Sequence, residues 1–215
     1  TKERPGNWLP MQASTSNMVV RQTFNVRSEE TPATYTIECL NPDASDTLDP
    51  NQLEAALGRA AAFVKGTANV FVDWMDEFAG HVNELPPNDQ EKCQRAGGDS
   101  NIYYHNSAWQ LGPDEALLIE ATPPACATWN LQISNHWMES LDYRYHRIHV
   151  NKFTADYEDD GSVRIVLAHE NPGPGFPNWL ETCDHDRGAM LFRYVGATEF
   201  PPIRTQVVKL AELRG

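Results

Sequence analysis

The sequence predicts a mainly β protein, a jelly-roll-like antiparallel β-sandwich with an inserted helical hairpin. Three observations predict it. Short runs of period-two alternation recur along most of the chain, bounded by turn residues. Fifteen prolines and thirteen glycines in 215 residues supply those turns. One stretch, about 48–84, switches to apolar spacings of three and four, the period of a helix.

The elements follow in order. Residues 18–24 (MVVRQTF) and 33–40 (ATYTIECL) read as neighbouring strands across a polar linker that ends in Pro32. Asp49 is a candidate N-cap and Pro50 suits the first helical position. Leu53, Ala56, Leu57, Ala60, Ala61 and Val64 then line one helical face, and Gly66 is expected to end the helix. Val70, Phe71, Trp74, Met75 and Phe78 define a second helix over about 67–82, closed by Pro86-Pro87. Residues 88–100 are polar, contain Gly97-Gly98 and read as a loop.

The β pattern resumes at 101. Residues 102–105, 115–121, 128–134, 149–157, 163–169, 189–195 and 205–210 bring the count to nine strands. Asp160-Gly161 between two alternating runs predicts a hairpin with Gly161 at positive φ, where a Cβ would clash. Three segments result: N-terminal strands at 1–47, a helical insert and loop at 48–100, and a β-sandwich at 101–215.

The segment 1–47 carries an internal echo. Asn7-Trp8-Leu9 precedes Met18-Val19-Val20-Arg21, as Asn178-Trp179-Leu180 precedes Met190-Leu191-Phe192-Arg193. A true repeat means that 1–47 is the end of another β-domain, whose remainder lies upstream or comes from another chain. A homo-oligomer and an upstream β-domain are therefore the two macromolecular partners expected.

Charge and composition exclude other classes. Seventeen basic against thirty acidic residues leave a net charge of −13, the wrong sign for a nucleic-acid partner. No apolar run nears the roughly 20 residues of a membrane helix. No secretory signal leads the sequence, so a cytoplasmic location is expected. Cys39, Cys93, Cys126 and Cys183 form no CxxC pair, and free thiols are expected unless the compartment is oxidising.

Three clusters carry candidate chemistry. In the cluster His136, Glu139, Asp142, Tyr143 and Arg144, His136 and Glu139 could meet on one helical turn, or the segment could form a structural corner in which Asp142 accepts backbone N–H groups and Arg144 pairs with an acid. His146 and His149 offer two ligands, fewer than a zinc site needs, so no metal is expected. His169, Asn178, Trp179, Asp184, His185, Asp186 and Arg187 place bases, acids and a cation in or beside loops, where binding groups collect. Trp129 and Trp137 lie within a stretch dense in aromatics, which suits a sandwich core first and an apolar ligand cavity second.

Asn135 to Arg144 (NHWMESLDYR), Asp160-Gly161-Ser162, His169 and Pro177 to Thr182 (PNWLET) resemble the C-terminal domain known as domain of unknown function 1214. That domain often follows domain of unknown function 1254. The likeness runs over about 101–213 and implies a jelly-roll-like β-sandwich with appended helices. It implies no established reaction. One departure stands out: a small residue and Gly are expected before the His, where this chain has Cys183-Asp184-His185.

The expected function is binding of a small organic or sugar-like ligand, with no cofactor. Trp129, Trp137, Tyr143, Asn178, His185 and Arg187 are the expected contacts. One alternative is cofactor-independent acid–base catalysis by His136, Glu139, Tyr143 and His185. The other is a structural domain that completes an upstream partner.

Overall fold

The computed structural model describes residues 9, 11–15, 18–37, 47 and 49–215. The chain divides into two compact units, Thr1–Cys39 and Leu40–Gly215. The second holds a long helix α1 (Pro50–Phe78), a short helix α2 (Gln90–Arg95) and strands β1 (Ile102–Gln110), β2 (Glu115–Ala121), β3 (Thr128–Asn135) and β4 (His149–Asn151). Strands β5 (Val163–Ala168), β6 (Trp179–Glu181), β7 (Arg187–Val195) and β8 (Arg204–Lys209) follow, with a terminal helix α3 (Leu210–Arg214). One sheet has the order β1-β7-β3-β4, the other β6-β5-β2-β8. All pairings are antiparallel except β5 with β6.

Alternation explains the core. Trp109, Trp129, Leu131, Ile133, Met190, Phe192 and Tyr194 of the first sheet share one apolar cluster with Leu117, Ile119, Val163, Ile165, Leu167 and Leu180 of the second. The two sheets are thus two layers over one interior. The Trp129 and Phe192 rings stack at 5.6 Å with planes 2° apart. Residues one step along each strand face outward. On the first sheet Ala108, Ala189 and Leu191 receive Met75 and Phe78 from the end of α1. On the second, Ala116, Val166 and Ala168 receive Leu210 of α3, with Phe176 and Trp179 beside them.

The β1 edge is closed by side-chain amides rather than by another strand. Gln90 accepts from Tyr104 N (2.9 Å) and donates to Tyr104 O (3.0 Å). Asn83 does the same for Gln110, at 2.9 and 2.8 Å. Asn88 accepts from Asn106 N and donates to Asn106 O. Each amide mimics the donor–acceptor pair of a neighbouring strand, and with Asn83 N and Asn88 N donating to Ala108 O and Tyr104 O the segment 83–90 covers an edge that would otherwise template aggregation.

Three expectations are corrected. The helical hairpin is one continuous 29-residue helix. Asp49 caps it as expected, its carboxylate accepting from Asn51 N at 2.9 Å, and Pro50 starts it. Gly66 does not interrupt it, because a lone mid-helix Gly costs only about 1 kcal/mol and no turn chemistry accompanies it. The Asp160-Gly161 turn exists and Gly161 has φ of 81°, but it joins no hairpin. The strand before it, β4, ends at Asn151 and lies in the other sheet from β5. The Asn151 side chain ends β4 by accepting from Phe153 N (2.9 Å) and Thr154 N (3.2 Å). Finally, residues 18–37 form no ladder. Gln22 bonds both backbone groups of Ala33, so the two runs touch without pairing as strands. Asn7, Trp8 and Cys39 lie outside the described residues.

Candidate functional site

Strand β6 is the parallel edge of its sheet, and its three residues set up the site. Leu180 points into the core, so alternation turns Trp179 and Glu181 outward together. The Trp179 indole is pinned by donating to Ala168 O at 3.1 Å. The segment 146–148 runs alongside, with Glu181 N donating to Arg147 O at 2.9 Å. A Pro/Gly loop, 171–177, forms the other wall. Asn171 accepts from Gly173 N (2.8 Å), and Gly173 takes φ of 116°, a conformation that favours glycine. The Arg147 guanidinium donates to Pro177 O and, at 3.2 Å, to Thr154 O, which ties the wall to the body of the domain.

These parts enclose a groove of about 530 Å³ lined by Arg147, Asn171, Gly173, Pro174, Phe176, Pro177 and Trp179. Two aromatic rings and two prolines make its surface apolar, and Arg147 is its one charged side chain. At the Glu181 end of β6, His146 Nδ1 lies 2.9 Å from Glu181 Oε2. The contact is an ion pair when the ring is protonated. Glu181, then Asp142 and Asp184, hold the His146 pKa above its ordinary value.

The expected site residues are dispersed. Trp129 is completely enclosed and donates its indole N–H to Tyr157 Oη at 2.9 Å. Asn178 is buried as a splint between loops: it accepts from Asp156 N (2.9 Å) and donates to Asp156 O (2.7 Å) and Arg164 O (3.0 Å). Glu139 belongs to a turn built on Asn135, whose Oδ1 accepts from Trp137 N and Glu139 N and whose amide donates to the Glu139 carboxylate. The Trp137 ring is exposed and lies 4.7 Å from the His136 ring. Tyr143 is exposed too, beside an Asp142–Arg144 pair joined by two 3.0 Å bonds. His185 closes a turn, its N–H donating to Thr182 O at 3.1 Å, and Arg187 begins β7 in the open. No described hydrogen bond or ion pair joins His136, Glu139 or Tyr143 to His185 or Arg187.

That turn contains the local departure seen in the sequence. Cys183 and Asp184 have φ of 53° and 63°, so two L-residues occupy the left-handed region in succession. Burial pushes the Cys183 thiol up to about 11, with Glu181, Asp184 and Asp142 adding to the rise. It is a thiol, not a thiolate nucleophile, at neutral pH. Cys93 and Cys126 are also raised, chiefly by burial. Among the described residues no group of three His, Cys, Asp or Glu side chains could hold a metal ion. A second hollow, of about 630 Å³, mixes Glu120, Glu158, Asp159 and Asp160 with Arg164 and Arg204. Arg164 is already paired there with Glu120 and Glu158 at 3.6 and 3.7 Å.

Phe176 was not legible as a site residue. Its signal, an aromatic inside NPGPGFPNWL, acquires meaning only beside Arg147, which lies far away in sequence and adjacent in space.

Residues 115–199 match the family described as Protein of unknown function (DUF1214). A crystal structure of an uncharacterized protein from Burkholderia cenocepacia is similar at 48% identity and a TM-score of 0.83. The match covers 89% of this chain and 53% of that one. The VPA0106 protein from Vibrio parahaemolyticus is 16% identical with a TM-score of 0.43, over 77% of this chain and 48% of that one. The chain thus spans about half the length of these two solved structures. No curated protein matches it.

Proposed function

With residues 115–199 matching the family described as Protein of unknown function (DUF1214), we propose that the chain is a small-molecule-binding module whose site is the groove beside β6. The single observation that carries this reading is the groove itself: Phe176, Trp179 and two prolines beside one guanidinium, Arg147. Its volume of about 530 Å³ falls within the range of ligand pockets. Such a lining suits a ligand with an apolar ring or short chain and an anionic end, such as an aromatic carboxylate. The ring stacks on the indole while the carboxylate takes guanidinium donors that Pro177 O and Thr154 O leave free. The crossing of the chain between sheets, β1 to β2 to β3, supports a jelly-roll-like description of the scaffold. No described helix is long and apolar enough to cross a membrane. Cys93, Cys126 and Cys183 are free, which supports a reducing compartment such as the cytoplasm.

Calorimetry with aromatic carboxylates and their neutral amides tests the reading. Arg147→Met also releases the wall at Pro177 and so is expected to weaken both ligands, the carboxylate about tenfold more than the amide, or about 1.4 kcal/mol. Phe176→Ala is expected to weaken both. Absence of binding up to about 1 mM, or equal losses for carboxylate and amide in Arg147→Met, would overturn it.

A further inference from the structure

We propose that His105 makes the segment 83–90 an acid-released strap over the β1 edge: protonation of this one buried ring frees the segment while the sandwich stays folded. The ring is fixed by its neighbours. His105 lies opposite Phe192 in the β1–β7 ladder and points with it into the interior, where it is 1% exposed. Its Nδ1 lies 3.0 Å from Leu85 O. A carbonyl only accepts, so Nδ1 carries the proton and Nε2 keeps a bare lone pair. Nε2 is enclosed and has no hydrogen-bond partner among the described residues.

The bond to Leu85 O is an inner fastening of the strap. Ser107, the next inward residue of β1, donates to Glu84 O, and Leu85 itself is buried in the core. On the rim, Asn83 N and Asn88 N donate to Ala108 O and Tyr104 O at 2.8 and 3.1 Å. Backbone groups, amides and a hydroxyl keep one charge state across neutral pH. Among these fastenings, His105 is the group that titrates between about pH 5 and 8.

The closed strap leaves a proton on Nε2 without a partner. It would put a cation among the rings of Tyr103, Phe192 and Tyr194, whose centroids lie 5.3, 6.3 and 5.9 Å from the imidazole. The titratable groups facing it are the two phenols, which bring no negative charge at neutral pH. Glu84, the strap's own carboxylate, is exposed and lies 3.7 Å from His81 instead. Burial therefore holds the His105 pKa below its ordinary value, the carbonyls of Leu85 and Pro86 offsetting only part of the effect, and no described carboxylate contributes.

Release follows by linkage. In the open strap the ring meets water and titrates near the ordinary value of about 6.5, so below that pH the proton favours the open form. The opening constant is expected to be level above pH 7 and to rise about twentyfold from pH 7 to pH 5. Opening uncovers the backbone of Tyr104, Asn106 and Ala108, a strand edge ready to pair.

Amide hydrogen exchange of the full chain at pH 7 and pH 5, each corrected for the intrinsic rate, tests this. The Asn83, Asn88, Tyr104, Asn106 and Gln110 amides bond between strap and strand. Their protection is expected to fall about twentyfold at pH 5, while that of the β2 and β5 amides holds. His105→Gln keeps a side-chain N–H for Leu85 O and does not titrate, so its strap protection is expected to be equal at the two pH values. Should that variant not fold, the imidazole C–H resonances of wild-type His105 decide, with an expected midpoint below about 6.5. Unchanged strap protection at pH 5, the result if the three rings accept the imidazolium, overturns the proposal. So does an equal loss in β2 and β5, a loss that persists in His105→Gln, or a midpoint at or above about 6.5.

Discussion

At the scale of single residues, two features near β6 make testable statements. Cys183 and Asp184 sit at positive φ, where most L-residues pay roughly 1–2 kcal/mol and Asp somewhat less. This is the place where the family likeness implied a small residue and Gly. The chain keeps the backbone path of a glycine turn with side chains that disfavour it. Asp184→Gly is therefore expected to stabilise the protein by about 0.5–1 kcal/mol, read as a higher urea midpoint at unchanged slope. A lower midpoint would mean that the Asp184 carboxylate contributes more than the backbone strain removes.

The His146–Glu181 pair gives a pH signature. The folded-state pKa of His146 is raised, first by contact with Glu181, so the folded state favours the protonated ring. A raised basic group stabilises the fold fully below its unfolded value, about 6.5, and loses that contribution as pH climbs through the folded value. The melting-temperature difference between wild type and His146→Gln should thus be largest near pH 6 and shrink as pH is taken above 7. A difference that grew with pH would show that the ring is held neutral instead. Both partners are about one-third exposed, so added salt should also reduce the difference.

Elements depend on how closely their backbones approach. Gly188 in β7 sits between β1 and β3, paired with Trp109 on one side and Asn135 on the other. An added Cβ would lie 2.0 Å from Ser134 O and 2.7 Å from Trp109 Nε1. The first atom is backbone and the second belongs to a fully buried ring, so neither can yield cheaply. Gly188→Ala is expected to destabilise by about 2–4 kcal/mol, seen as a large fall in the urea midpoint. A near-neutral effect would require the β3–β7 register to relax at that point. Elements were also where sequence reading worked best. The Asp49-Pro50 start of α1 and the strand-like runs that became β2, β3, β5 and β7 were all legible, because capping and alternation are local. The end of α1 was not. Gly66 resembles a stop until the apolar seam is followed through it to the sheet.

For the whole molecule, sequence alone determined the β-rich class, the acidic character and the positions of most strands. Each follows from residues a few places apart: alternation buries one face, turn residues interrupt it, and the charge sum needs no geometry at all. Tertiary structure decided which strands share a sheet, and hence that the turn at Gly161 joins two layers rather than two partners. It decided that amide side chains, not another strand, close the β1 edge. It also decided the candidate site. The sequence placed Trp129 and Asn178 among possible ligand contacts by residue type, whereas burial made one a core ring and the other a splint between loops. Arg147 and Phe176 lie far apart along the chain, and only packing brings a guanidinium and an aromatic ring to one groove. Local patterns record what each residue needs, an apolar or a wet side. Which distant residue meets that need depends on loop closure and layer packing, and neither leaves a periodic trace in the sequence.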